Sequence, residues 1–324
     1  MKAWSVLLLV SANISLQAQA PADSFRVDDA KKILHFLASD SMKGRQNHSP
    51  EIKVAANYIA QSFQQAGLSS LPGFKTFFYP FVIRKKLEVL KDSVGTAYPE
   101  DVLLNVIGIL PGKSKPKELV IFSAHYDHVG IIGKKIYNGA NDNASGTTAL
   151  LMLAKYFAQR ADNERTLVFC AFAGEEMGLH GSKVLAPRIQ PDAVVAVINL
   201  EMLGIPQVGK NAFFITGSQH SNLKTILESS LNGGCKIVAE PSEEKELFLR
   251  SDNFPFAQRG IPAHSIMASD DDDKCYHRSC DDIERIDFDN LVGLVKCIAT
   301  AMADIINGTK TPSRIRTESL QDGY

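Results

Sequence analysis

Three apolar runs in this chain each have the length of one β-strand, and each ends on side chains that bind cations. Leu119-Val120-Ile121-Phe122 continues to His125, Thr166 to Phe172 leads to Gly174-Glu175-Glu176, and Val194 to Leu200 leads to Glu201. Their unbroken apolar character reads as buried strands. Between the first two lie a Gly/Asn-rich loop carrying Asp142 and a helical run from Thr147 to Gln159, which presents Leu150, Leu151, Leu153, Ala154 and Phe157 for packing. Strands alternating with helices predict an α/β fold: a single domain with a central mixed, mostly parallel sheet and helices on both faces. In an open sheet of that kind, ligands gather beyond the carboxyl ends of the strands. The His, Glu-Glu and Glu endings are therefore expected at one edge.

The rest of the chain extends this pattern. Val27 to Gly67 reads as two helices around a polar turn with Gly44, and Leu71 to Leu90 as a strand or hairpin near a sheet edge, since Pro80 argues against a central strand. After Glu201 come a strand at Ala212 to Thr216, a helix at Ser221 to Leu231, a strand at Lys236 to Ala239 and a short helix after Ser251-Asp252-Asn253. A buried strand at Ala263 to Met267 leads to a loop bearing Asp270 to Asp273 and His277, and a last helix covers Leu291 to Ile306. At 324 residues two domains are the first expectation. Neither an internal repeat nor a Pro/Ser-rich linker divides the chain, so one domain over 21–309 is preferred, with a flexible polar tail over 310–324.

The net charge of −1, with scattered Lys and Arg, provides no basic stripe for nucleic acid or an anionic membrane. Residues 1–20 fit a secretory signal peptide: Lys2, the apolar Val6 to Val10, and Ala18-Gln19-Ala20 as the cleavage site. Export to the periplasm or the extracellular space follows, with cleavage near Ala20. The apolar run is too short to span a bilayer, and no Cys near the cleavage site offers a lipid anchor. Five cysteines, an odd number, leave at least one free. Cys170 reads as a core residue, whereas Cys275 and Cys280 flank His277 and either close a small loop around it or remain thiols.

His125, Asp142, Glu176, Glu201 and His277 are five ligands of the kind zinc accepts. Any one of them alone is more simply a solvated carboxylate or a locally satisfied imidazole; a shared sheet edge makes the set informative. The count suits two metals, with Asp142 bridging, His125 and Glu201 completing one ion and Glu176 and His277 the other. Glu175 then stands as a general base over the attacking water, although an acidic helix N-terminus would present the same Glu-Glu pair. Asp127 is positioned in sequence to accept the second imidazole N–H of His125 or to cap a turn, and Asp281 to serve His277 likewise. The run Asp270 to Asp273 reads either as a solvated loop or as a field that draws a peptide ammonium group. Pocket shape is expected from the loops Ile131 to Asn138 and Glu240 to Leu249, with Glu243, Glu244 and Glu246 either contacting a substrate amine or, more simply, on a solvated face. His35 and His48 carry no metal role.

Five motifs, A-H-Y-D, N-G-A-N-D-N-A-S-G, A-G-E-E-x-G-L-x-G-S, N-L-E-M-L-G and Y-H-x-x-x-D, resemble those of the secreted di-zinc aminopeptidase family that includes the bacterial leucyl aminopeptidases. The resemblance covers nearly the whole mature chain, from the Gly44-Arg45 turn to the last helix. It implies two co-catalytic zinc ions and peptide substrates with a free N-terminus, with His125, Asp142, Glu176, Glu201 and His277 as ligands and Glu175 as base. The family usually has Asp where this chain has Glu201, and often His where it has Asn253. Two alternatives differ in chemistry: a glutaminyl cyclase-like acyltransferase, similar in fold but using one zinc, and a non-catalytic peptide-binding relative. Glu175 argues against the latter, since a binding module has no use for a general base.

Overall fold

The computed structural model describes residues 25–84, 86–91, 98–231, 233–241 and 243–320. The expected signal peptide and residues 321–324 lie outside them, as does the side chain of Glu243. Nine strands form the main sheet: β1 (Phe78–Ile83), β2 (Leu87–Val89), β3 (Val102–Leu110), β4 (Lys115–His125), β7 (Arg165–Phe172), β8 (Val194–Glu201), β9 (Ala212–Ile215), β10 (Lys236–Ile237) and β11 (Ala263–Met267). Their order is β10-β9-β11-β8-β4-β7-β3-β1-β2, and a separate hairpin of β5 (Gly130–Ile132) and β6 (Lys135–Tyr137) takes up most of the segment that reads in sequence as the Ile131 to Asn138 loop.

The four central strands, β11, β8, β4 and β7, run parallel, so their carboxyl ends share one edge. β3, β1 and β2 extend the sheet antiparallel on one flank, and β9 pairs antiparallel with β11 on the other. Pro80 falls in the hairpin flank, as its missing N–H requires. From β4 the chain crosses to β7 on one side and then to β8 on the other. This reversal opens a crevice between β4 and β8, the usual ligand position in such sheets. Register does the rest: Ser123 pairs with Asn199, which brings His125 level with Glu201 two residues further on.

All eight residues of β7 and of β8 are buried. On one face α3 (Gly146–Arg160) packs on β4, β7 and β8, with α1 (Val27–Leu37), α2 (Pro50–Gln65) and the C-terminal α7 (Phe288–Ala301) packed against it. Phe122, Phe157 and Phe169 stack there, with ring centroids 5.8 and 5.6 Å apart. On the opposite face Phe172 of β7 meets Phe256 of α6 (Phe254–Ala257) at 6.2 Å. Each large side chain taken out of water here contributes about 1.5–3 kcal/mol. Capping sets where the helices start: Ser49 Oγ accepts from Ile52 N–H before Pro50 opens α2, and the Asp287 carboxylate accepts from Asn290 N–H at α7.

Two disulfides tie down loops. Cys275–Cys280 closes the short turn around His277, and Cys235–Cys297, which the sequence pattern did not single out, joins the start of β10 to α7 across 62 residues. Cys170 is free and buried in β7, in keeping with a core role. Beyond Gly308 the chain is largely exposed but anchored at intervals, with Pro312 and Leu320 buried. Arg165 donates to the carbonyls of Ile305 and Lys310 and to Thr311 Oγ1, and Ile315 is buried.

Candidate metal centre

His125 and Glu201 meet across the β4/β8 crevice, with Nε2 2.8 Å from Oε1. The other imidazole nitrogen, Nδ1, donates to the main-chain carbonyl of Asp127 at 3.2 Å. The Asp127 carboxylate, expected as that acceptor, is 3.8 Å away and outside hydrogen-bond range. It accepts instead from Asn47 Nδ2 and from the backbone N–H groups of Glu175 and Glu176, both at 3.3 Å. Of the two roles open to it, capping the Glu175-Glu176 turn is the one the geometry supports. Glu201 is restrained from behind, because Oε2 accepts from Asn199 Nδ2 and Ser251 Oγ at 2.9 and 2.7 Å, leaving Oε1 to face the crevice. Asn253 stands one step further back, where its Oδ1 accepts from Ser265 Oγ.

Asp142 reaches the same point on a loop anchored at several places. Gly139 begins the loop at φ 58°, a conformation that favours glycine. Asn141 and Asn143 then bracket the loop against the end of β8, accepting from Gly204 N–H and from Met202 and Gly146 N–H. Asp281, expected to serve His277, spends its carboxylate on the backbone N–H groups of Asn141 and Asp142, at 2.9 and 3.0 Å. The Asp142–Asn143 peptide is cis. Buried Arg45 donates to the carbonyls of Tyr126, Asn138 and Gly139, so the turn after α1 fastens both segments that carry site residues.

The two oxygens of Asp142 face two different groups. Oδ1 is 3.3 Å from His125 Nε2, on the Glu201 side, and Oδ2 is 3.0 Å from His277 Nε2. Glu176 Oε2 is 3.1 Å from the same nitrogen of His277. Two overlapping clusters result, His125/Asp142/Glu201 and His128/Asp142/Glu176/His277, with Asp142 common to both. All five residues proposed as ligands from sequence come together. His128 is an addition: its Nδ1 lies 2.8 Å from Glu176 Oε1. Reading only the last residue of each strand overlooks it, although it follows His125 by three positions, directly after the A-H-Y-D motif.

Opposite charges crowded together perturb the titration of these groups. Burial acts to lower the pKa of His277, but its contacts with Asp142 and Glu176 outweigh that and raise it to about 10. Burial raises the Asp142 carboxyl, yet hydrogen bonds from His125 and His277 hold it far below the usual range. Half-buried Glu175 is pushed well up, by desolvation first and then by the nearby Glu201, Asp252 and Glu176, with His125 opposing.

Glu175, Glu201 and Asp142 open onto a cavity of about 50 Å³ whose other walls include Met202, Leu247, Met267 and Tyr276. Leu247 comes from the Glu240 to Leu249 loop; Glu244 and Glu246 of that loop are exposed, while Ile131 and Ile132 sit on the outer hairpin. The acidic run is not a solvated loop. Lys245 pairs with Asp271 and Asp272 at 2.8 and 2.6 Å, Arg250 with Asp271, and Arg285 with Asp273, while Asp270 is fully buried. With its charge met by these cations, the run has little field left with which to draw an ammonium group.

Fold and cluster together define an α/β protein whose sheet edge gathers histidines and carboxylates as a metal site does. The chain belongs to peptidase family M28, whose model matches residues 105–302. A probable leucine aminopeptidase of Trichophyton verrucosum is 29% identical over 220 residues, covering 62% of this chain and 57% of that protein. The chain spans about half the length of the curated relatives it matches, 49% to 57% for three of them. Among solved structures, a zinc aminopeptidase from Bacillus subtilis superposes with a TM-score of 0.66 at 16% identity, covering 90% of this chain and 97% of that one. Glutaminyl cyclase from Porphyromonas gingivalis does so with a TM-score of 0.67 at 16% identity, covering 88% and 100%. At such identities the likeness establishes the shared fold.

Proposed function

We propose that this protein is an exported, zinc-dependent aminopeptidase that removes N-terminal residues from peptides. The observation that carries the reading is the division of the Asp142 carboxylate between two ligand clusters, with Glu175 beside them. The donor set fits the metal: imidazole nitrogens and carboxylate oxygens suit zinc, and three carboxylates crowded in a crevice need a cation to balance them. His125 and Glu201 would hold one ion, Glu176 and His277 the other, and Asp142 both. Zinc at these positions supplies Lewis acidity, polarising the scissile carbonyl and making a water more acidic.

The chain's own groups do the remainder. Glu175, with its raised pKa, accepts the proton of the attacking water and returns it to the leaving amine. Asp127 holds the Glu175-Glu176 turn by its backbone, which keeps the base and the neighbouring ligand in fixed relation. The cavity, walled by Met202, Leu247, Met267 and Tyr276 together with the polar Arg250, Ser251 and Asp271, takes the side chain of the N-terminal residue. Export is supported by the two disulfides, which persist in oxidising compartments. No helix among the described residues is long and apolar enough to cross a membrane.

The test combines metal stoichiometry with a panel of aminoacyl anilides and a Gln-peptide cyclisation assay. Two equivalents of zinc with anilide release are expected. One equivalent with ring closure would replace this reading with that of a cyclase, the chemistry named for one of the structural neighbours.

A further inference from the structure

We propose that His128 is a positioning residue of the metal centre: its Nδ1–H donates to Glu176 Oε1 and leaves Oε2 as the carboxylate oxygen that faces the metal. The proposal rests on the metal-dependent reading above, and it concerns a residue for which that mechanism has no use. His128 is 1% exposed, three positions beyond His125, and its ring is built into the site rather than lying against it. A Cβ at Gly139 would come within 2.4 Å of His128 Cδ2, so the loop that delivers Asp142 is shaped around this imidazole. On another side the ring meets His277 edge-on, with centroids 5.6 Å apart.

The polar contacts decide between holding a ligand and being one. Nδ1 is 2.8 Å from Glu176 Oε1 but 3.8 Å from Asp142 Oδ2, so only the first is a hydrogen bond. Nε2 is buried and has no partner among the described residues. Placing the proton on Nε2 would bury an unsatisfied N–H and set a lone pair against a carboxylate; placing it on Nδ1 makes the hydrogen bond and leaves only an idle acceptor. An imidazole that ligates a metal normally has its other nitrogen tied to a carboxylate, carbonyl or water. His125 has such a tie in the Asp127 carbonyl, and His128 lacks one. Glu176, by contrast, has its two oxygens directed differently, Oε1 to His128 and Oε2 to His277 at 3.1 Å. A carboxylate pinned at one oxygen cannot swing round to offer both.

The test uses the full-length protein and measures zinc affinity by chelator competition, together with the visible spectrum of the cobalt(II)-loaded form. His128→Asn keeps an N–H donor close to the Nδ1 position, whereas His128→Gln carries its amide further out and His128→Ala has none. Loss of an outer partner typically weakens metal binding 10- to 100-fold, and that loss is expected for one of the two equivalents in the Ala and Gln variants. The Asn variant should retain most of the affinity and the wild-type cobalt spectrum, while Ala and Gln shift the spectrum as Glu176 becomes free to bind through both oxygens. Unchanged affinity in Ala and Gln would overturn the proposal. So would an Asn variant as weak as Gln, because the imidazole itself would then be a ligand. A wild-type protein that binds no zinc at all would instead sink the functional reading, independently of His128.

Discussion

His125 and Glu201 reach the metal centre from the ends of two adjacent strands and are almost wholly buried, whereas Glu176 and His277 arrive on a turn and a loop, with the His277 side chain 39% exposed. The first half is placed by sheet register. Once Ser123 pairs with Asn199, the imidazole and the carboxylate are brought level at the sheet edge, and Asn199 and Ser251 hold the carboxylate from behind. The second half is placed by individual restraints: Asp127 on the backbone of Glu175 and Glu176, His128 on the Glu176 carboxylate, and the Cys275–Cys280 bridge around His277. A ladder of backbone hydrogen bonds is cooperative and tolerates single changes. A set of separate clamps does not, so the two halves should fail differently.

The largest effect should come from the base that stands beside both halves. Glu175→Gln is expected to lower kcat about a hundred- to ten-thousandfold, the usual worth of a general acid–base group, while both zinc equivalents stay bound. Steady-state kinetics beside metal analysis check this, and a variant that cleaves at the wild-type rate removes Glu175 from the mechanism. Next, Glu201→Ala should shed the ion of the strand-end half and keep the other. Its loss of affinity should exceed the 10- to 100-fold typical of an outer partner. If both equivalents fall together, the halves are not separable.

A smaller, one-sided effect is expected from the loop half. Replacing both Cys275 and Cys280 with Ser frees a turn whose closure, for so short a loop, is worth about 2 kcal/mol. Zinc binding at the His277 half must then supply that ordering, and its affinity falls by up to about 30-fold while the His125 half is unaffected. Equal weakening of both sites in a competition titration would refute the distinction.

A last effect, on the stability of the sheet and not on the metal site itself, separates acid unloading of the site from acid unfolding of the sheet behind it. His264, on β11, is fully buried, bonded to the Thr216 carbonyl at 2.8 Å and to Ser221 Oγ at 2.7 Å, and desolvation lowers its pKa to about 4. The folded pKa lies below that of the unfolded chain, so the unfolded state binds the extra proton first. Stability from this group is therefore complete above about pH 6.5 and declines by about 1.4 kcal/mol per pH unit as the pH falls toward 4. Denaturant melts of the metal-free protein across that window should show the slope, and His264→Gln should flatten it.

Much of the site was legible because its cues are local. Strand runs ending in His125, Glu175-Glu176 and Glu201 announce an α/β edge before any contact is known. The hairpin at Leu71 to Leu90, the helices flanking Gly44, and the strand at Ala263 to Met267 were all readable from period and punctuation. Where the reading went astray, the deciding partner was distant. Asp127 looks from sequence like the neighbour of His125, yet its carboxylate turns toward Asn47 and the Glu175 turn, which lie 80 and 48 residues away. The acidic run looks solvated because its cations, Lys245, Arg250 and Arg285, stand in other segments.

Sequence alone determined the alternation of strands and helices, the kinds of ligand offered at the sheet edge and the presence of a candidate base, because apolar periodicity and residue chemistry are properties of short stretches. Tertiary structure alone decided which oxygen of Asp142 and Glu176 faces which imidazole, that His128 joins the cluster, and that Cys235 meets Cys297 across 62 residues. Those outcomes depend on register and on loop closure, and both are settled only when segments far apart in the chain compete for the same space.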